Sequence, residues 1–173
     1  MNALDFWKEI TVDKANFLEQ FIALLNTHAI RFCVIGGQAV NAYVEPLVSL
    51  DLDAVVATDQ VDAVIALLRE RFVVKAFPHS LNVETAGSDL RVQIQNDLRY
   101  SDFVARAEMR NVLGLALPVA ALEDVMRGKV WAAQDPGRRG SKRQKDFADI
   151  ARLVEAYPDL RELVPDDILR RIE

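Results

Sequence analysis

Hydrophobic positions along the chain switch repeatedly between a helical and a strand period, and each switch marks a change of element. Phe17, Leu18, Phe21, Leu24 and Leu25 recur at helical spacing, which predicts an amphipathic helix over residues 13–28, laid against a sheet. Residues 31–35 read as a buried strand that stops at Gly36-Gly37 and passes into a short helix over residues 38–43, closed by Pro46. A second strand is expected over residues 50–56. After it, Val61, Val64, Ile65 and Leu68 predict a helix over residues 59–71. Three β-rich runs follow, at 72–77, 81–85 and 90–94, and the turn signal Ala86-Gly87-Ser88-Asp89 makes the last two antiparallel neighbours.

Residues 99–108 are weakly helical in pattern, and 112–117 read as a final short strand. Beyond Pro118 two helical stretches, 119–134 and 141–157, are joined by a loop at 135–140 that is rich in turn formers and positive charge. The expected organisation is α+β: a sheet core with an N-terminal helix over residues 1–118, then a helical C-terminal part over 119–173 packed on the same domain.

Composition changes this picture little. With 173 residues, 51% apolar and 27% charged, the chain is expected to bury one ordinary core. A net charge of -5 argues against a wholesale nucleic-acid or membrane binder, so a polyanion would have to meet a local basic patch. No apolar run is long enough to cross a bilayer, and Asp5 and Glu9 interrupt any signal-like pattern, so a cytoplasmic location without a membrane partner is expected. The single cysteine, Cys33, lies in an apolar strand pattern and reads as core packing. His28 and His79 belong to no cluster at zinc-ligand spacing, and Trp7 and Trp131 read as packing residues.

The feature that periodicity alone does not explain is Asp51-Leu52-Asp53, two carboxylates inside an otherwise apolar strand. Side chains alternate along a strand, so Asp51 and Asp53 share one face about 7 Å apart while Leu52 points to the other. Two such acids repel unless they are solvated or share a cation. A solvated strand face is the plain reading. The functional reading gains from Gly36-Gly37, which ends one strand and opens a helix, where free N–H groups favour a phosphate. Mg²⁺ (or Mn²⁺) prefers carboxylate and triphosphate oxygens, and the chemistry suggested is nucleotidyl or phosphoryl transfer. Neither a Gly-x-Gly-x-x-Gly turn nor a Gly-x-x-x-x-Gly-Lys loop is present.

In these features the sequence resembles the nucleotidyltransferase superfamily, and within it the AbiEii/AbiGii toxin-like group. Gly36, Gly37, Asp51 and Asp53 match its first two motifs. Lys129, the loop with Arg138 and Arg139, and Lys145-Asp146 followed by Asp149 match a later one. The resemblance runs over residues 31–153. It implies a small mixed β-sheet flanked by helices, and transfer of a nucleoside monophosphate from an NTP to an acceptor with Mg²⁺. RNA, protein hydroxyls and small molecules are all acceptors in the superfamily. By resemblance, Asp51 and Asp53 hold metal, Gly36, Gly37, Lys129 and Lys145 meet the nucleotide, and Lys129 assists catalysis.

Departures from the pattern matter. Leu47 stands where relatives often carry Arg, and Gln93 stands where a third acid is usual. An amide cannot act as a charged ligand or base. Asp89, on the same face by alternation, is the candidate substitute. Arg138, Arg139, Lys142, Arg143 and Lys145 place five positive charges in eight residues, either a solvated loop and helix start or a contact for an acceptor's phosphates. Three readings stay open: an Mg²⁺-dependent nucleotidyltransferase related to toxin–antitoxin systems; a catalytically impaired relative that binds nucleotide, RNA or a protein partner; and a domain whose aspartates are merely solvated. The sequence does not fix the oligomeric state.

Overall fold

The computed structural model describes residues 2–10, 13 and 16–173. Helix α1 (Ala3–Ile10) precedes α2 (Phe17–Thr27), whose start is set by Asp13: its buried carboxylate accepts from the backbone N–H of Phe17 at 2.8 Å and of Leu18 at 3.3 Å. The helical pattern expected from residue 13 thus begins at Phe17, with residues 14 and 15 outside the described part. Phe17 and Phe21 are fully buried, and Phe17 meets Phe72 edge-to-face at 5.0 Å. Burying each such ring contributes roughly 1.5–3 kcal/mol.

The sheet has seven strands. They are β1 (Phe32–Ile35), β2 (Asp51–Val56), β3 (Val73–Phe77), β4 (Ser80–Glu84), β5 (Arg91–Gln95), β6 (Glu108–Val112) and β7 (Leu115–Val119), in the order β3-β4-β5-β2-β1-β7-β6. β2 runs antiparallel to β1 and parallel to β5, and β1 runs parallel to β7, so the sheet is mixed. All four residues of β1 are buried, as expected of a central apolar run. In β2 the pattern differs: Leu52 and Ala54 are buried while Asp51 and Asp53 are half-buried, so strand alternation turns both acids to one partly open face.

Helices flank the sheet. α3 (Gly36–Asn41) follows β1 directly, α4 (Val61–Arg69) buries Val64 and Leu68, and α5 (Phe103–Arg106) is a single turn. α6 (Leu122–Gln134) and α7 (Gly140–Ala156) pack on each other and on α3, and α8 (Asp166–Ile172) packs on α7. Two tyrosine hydroxyls tie these elements to the loop after α3: Tyr43 donates to the carbonyl of Ala120 at 2.8 Å and Tyr157 to that of Tyr43 at 2.9 Å. Trp131 packs against Phe103 and Tyr100, with ring centroids 5.7 and 5.3 Å away. Cys33 is buried, and burial, with Asp124 nearby, pushes its thiol up to about 12.

One expectation is corrected. The single strand anticipated over residues 112–117 is a hairpin, β6 and β7, turning at Leu113-Gly114. β6 lies at the sheet edge with Glu108, Met109 and Asn111 exposed, so it lacks the apolar alternation that would have announced it. No helix of the described residues is long and apolar enough to cross a membrane.

Candidate active site

β1 and β2 are in register such that Ile35 faces Asp53. The next residue, Gly36, has φ +67°, and a Cβ placed there would fall 2.4 Å from Asp53 Oδ2. Glycine is required twice over, once by the backbone and once by the carboxylate lying against it. The turn into α3 therefore brings the Gly36-Gly37 pair and the Asp51/Asp53 face together at one end of the strands. α3 leaves its first N–H groups without intrahelical partners there.

The two aspartates live differently. Asp51 makes an ion pair with Arg91, its register neighbour on β5, at 3.0 Å, and lies 3.9 Å from Lys142 on α7. For Asp53, no ion pair or hydrogen bond reaches the carboxylate among the described residues. Burial pushes its pKa up to about 6, with Lys129 opposing and the charge of Asp51 adding. Gln93 is its register neighbour on β5. Asp89 is exposed, precedes β5 and does not line the cleft, so the third strand brings an amide to the acids.

The opposite wall comes from α6 and α7. Lys129 is buried between Asp146 at 3.1 Å and Asp149 at 2.7 Å. Burial opposes its charge, but the two carboxylates outweigh it and hold the ammonium above its ordinary pKa. Asp146 also takes a two-pronged contact from Arg138 at 2.8 and 3.0 Å. Asp149 accepts from Arg152 at 2.8 Å, and Arg152 reaches on to Asn41 Oδ1 at 3.2 Å and to the carbonyl of Glu45. A chain of alternating charges thus joins α6, α7 and the loop after α3.

Between the two walls lies a cleft of about 210 Å³. Gly37, Asp51, Asp53, Gln93, Lys129, Arg138, Lys142 and Lys145 all line it, while Gly36 lines a small extension of about 60 Å³ behind Asp53. Arg139 is exposed at the start of α7, and Arg143 donates to the carbonyl of Asp135 at 2.7 Å; neither lines the cleft. A larger cavity, about 430 Å³, lies at the other end of β1 and β2, around Phe32 and Ala57, away from the aspartates. Arg152 and Asn41 line the cleft without having been singled out in the sequence. The available signal was helical spacing, since Lys145, Asp149 and Arg152 follow each other at four and three residues along α7.

The donor set suits a hard divalent ion. Two carboxylates share a face, one of them lacks a partner, and its raised pKa is the penalty that a bound cation would relieve. Among the described residues no group of three or more His, Cys, Asp or Glu is gathered at metal-binding spacing.

The family described as nucleotidyl transferase AbiEii toxin, type IV TA system, matches residues 22–173. The chain belongs to the AbiEii nucleotidyltransferase family. Solved nucleotidyltransferases share the fold of this AbiEii member. The solution structure of the antibiotic-resistance factor ANT(2'')-Ia superposes with TM-score 0.65 at 11% identity, covering 90% of this chain and 91% of that one. The lincomycin-bound lincosamide antibiotic adenylyltransferase LnuA superposes with TM-score 0.56 at 12% identity, covering 83% and 99%. No curated protein matches the AbiEii chain in sequence.

Proposed function

We propose that the chain moves a nucleoside monophosphate from an NTP to an acceptor hydroxyl, with Mg²⁺ or Mn²⁺ held by Asp51 and Asp53. The observation that carries this reading is the partnerless Asp53 carboxylate, lying against Gly36 in a cleft lined by lysine and arginine. Family membership supports it. When bound, the ion neutralises triphosphate charge and polarises the reacting oxygens. Gly36 and Gly37 supply backbone donors for the phosphates, Lys142 and Lys145 meet their charge, and Lys129, kept protonated by Asp146 and Asp149, stabilises charge in the transition state. The acceptor oxygen bonds to the α-phosphorus as the bond to pyrophosphate breaks. Pyrophosphate leaves with the electron pair, and the hydroxyl proton goes to solvent because the amide of Gln93 cannot take it.

The test is a calorimetric titration of each NTP with Mg²⁺ into wild type and the Asp51→Asn/Asp53→Asn double variant. Binding that requires the metal and falls at least tenfold in the variant is expected; metal-independent binding, unchanged in the variant, would sink the assignment. Gln93 beside Asp53 favours a second reading, a binder of metal and nucleotide that does not transfer. Release of pyrophosphate with any acceptor excludes it. Family membership also supports a toxin role, expected as growth arrest on induction that Asp51→Asn relieves.

A further inference from the structure

Beside the cleft, and sharing Asn41, Leu47 and Val48 with it, opens a second cavity of about 230 Å³ with mainly apolar walls. Phe6 and Trp7 of α1, Pro46, Leu47 and Val48 of the loop before β2, and Leu113 of the β6–β7 turn form it. Phe6, Leu47 and Val48 are each more than half exposed, an unfavourable arrangement for large apolar side chains unless something covers them.

Two details show that this surface is held in place. The indole N–H of Trp7 donates to the carbonyl of Ser49 at 2.8 Å, fixing α1 to the loop that carries Leu47 and Val48 and leads into Asp51. At the turn, Leu113 has φ 55° and Gly114 φ 86°, so both central residues of a two-residue hairpin are left-handed. Asn is the favoured residue at the first of these positions, and leucine is costly there. A leucine side chain does nothing for the turn, yet it completes the apolar wall.

The cleft therefore has unlike ends. Arg138, Lys142 and Lys145 line the cleft, and none of them lines the apolar pocket. A triphosphate belongs at the charged end. Resting on the nucleotidyl-transfer reading, we propose that the apolar pocket seats the body of the acceptor: one uncharged ring or branched aliphatic group attached near the attacking hydroxyl. An RNA end would bring phosphates against Phe6 and Leu47 where, among the described residues, no cation lines the pocket to meet them. The volume is below the roughly 300–1,000 Å³ of a pocket for a whole drug-sized ligand, which fits a single group. A free phenol or alcohol and a hydroxyl-bearing protein side chain share this chemistry.

Trp7 supplies the reporter. In ¹⁵N-labelled protein, titration with p-cresol, as the free compound, and N-acetyl-tyrosinamide, as the protein side chain, should move the Trp7 indole resonance saturably and leave that of Trp131 unmoved. Tighter binding of one probe names the source. Leu113→Asn should weaken the better probe at least fivefold while the protein stays folded with a melting temperature close to wild type, because the better turn residue offsets the lost packing of Leu113 on the core. Binding should persist with Mg²⁺ and saturating NTP. The proposal is overturned if neither probe moves Trp7, if Leu113→Asn binds equally well, if NTP displaces the probe and so claims the pocket for the nucleobase, or if a single-stranded RNA decamer moves Trp7 saturably. Failure of NTP to bind in the calorimetric titration would instead remove the transfer reading, a result the cresol titration cannot mimic.

Discussion

The two walls of the cleft both carry charged groups and treat them in opposite ways. On α6, α7 and the loop between them, Lys129, Asp146, Asp149, Arg138 and Arg152 answer one another at 2.7–3.1 Å, and three of them are nearly inaccessible. On β2, Asp51 pairs with Arg91 at 3.0 Å and lies 3.9 Å from Lys142, whereas Asp53, among the described residues, is left without a partner. Charges that satisfy each other hold a wall in shape, whereas a charge left unsatisfied next to a cavity stores an affinity for something not yet there.

Cutting the paired wall should cost most. Asp146→Ala leaves Lys129 and Arg138 facing a buried void, and an unfolding free energy lower by about 3–5 kcal/mol is expected from denaturant titration. A loss below 1 kcal/mol would mean that the wall does not depend on its charges. The unpaired wall should respond with the opposite sign. The folded-state pKa of Asp53, about 6, lies above the ordinary 3.8, so its ionisation penalises the folded state alone. That penalty is absent below the ordinary value, grows as pH rises toward 6 and is complete above it. In metal-free buffer, Asp53→Asn should thus be more stable than wild type at pH 7.5, by at most roughly 3 kcal/mol, with the gap closing near pH 4. Adding Mg²⁺ should narrow the gap at pH 7.5.

Gly36→Ala tests the junction between the walls. The left-handed backbone and the 2.4 Å approach to Asp53 should cost about 1–3 kcal/mol and displace the carboxylate, lowering metal-dependent nucleotide affinity as well. Wild-type affinity in this variant would detach Asp53 from the site. The smallest effect is expected from Lys145→Ala, since the side chain is exposed on the cleft rim: stability within about 0.5 kcal/mol of wild type, and NTP affinity, read by calorimetry, lower by a few-fold.

Much of this architecture could be read from the chain. β1 and β2 were legible because short apolar runs are strong local signals, and Gly36-Gly37 with Asp51-Leu52-Asp53 stood out against them. The seven-strand order was not legible, because the parallel contacts of β1 with β7 and of β2 with β5 join distant segments whose pairing leaves no local trace. β6 escaped because an edge strand is half solvated. The Gly36 contact with Asp53 and the pairing of Lys129 with Asp146 and Asp149 depend on register and helix packing, which the sequence pattern constrains only to a face. Arg152 was hidden for the same reason: its partners Asn41 and Glu45 lie at the far end of the sequence.

That last bridge bears on the protein's birth. Asn41 and Arg152 are 111 residues apart in the chain, and a ribosome needs on the order of 10 s to travel that distance. The aspartate strand emerges early, but the wall that must face it does not exist until α7 has been made. A nascent chain consequently displays its acids without a cleft around them, and the site is assembled only as synthesis nears its end.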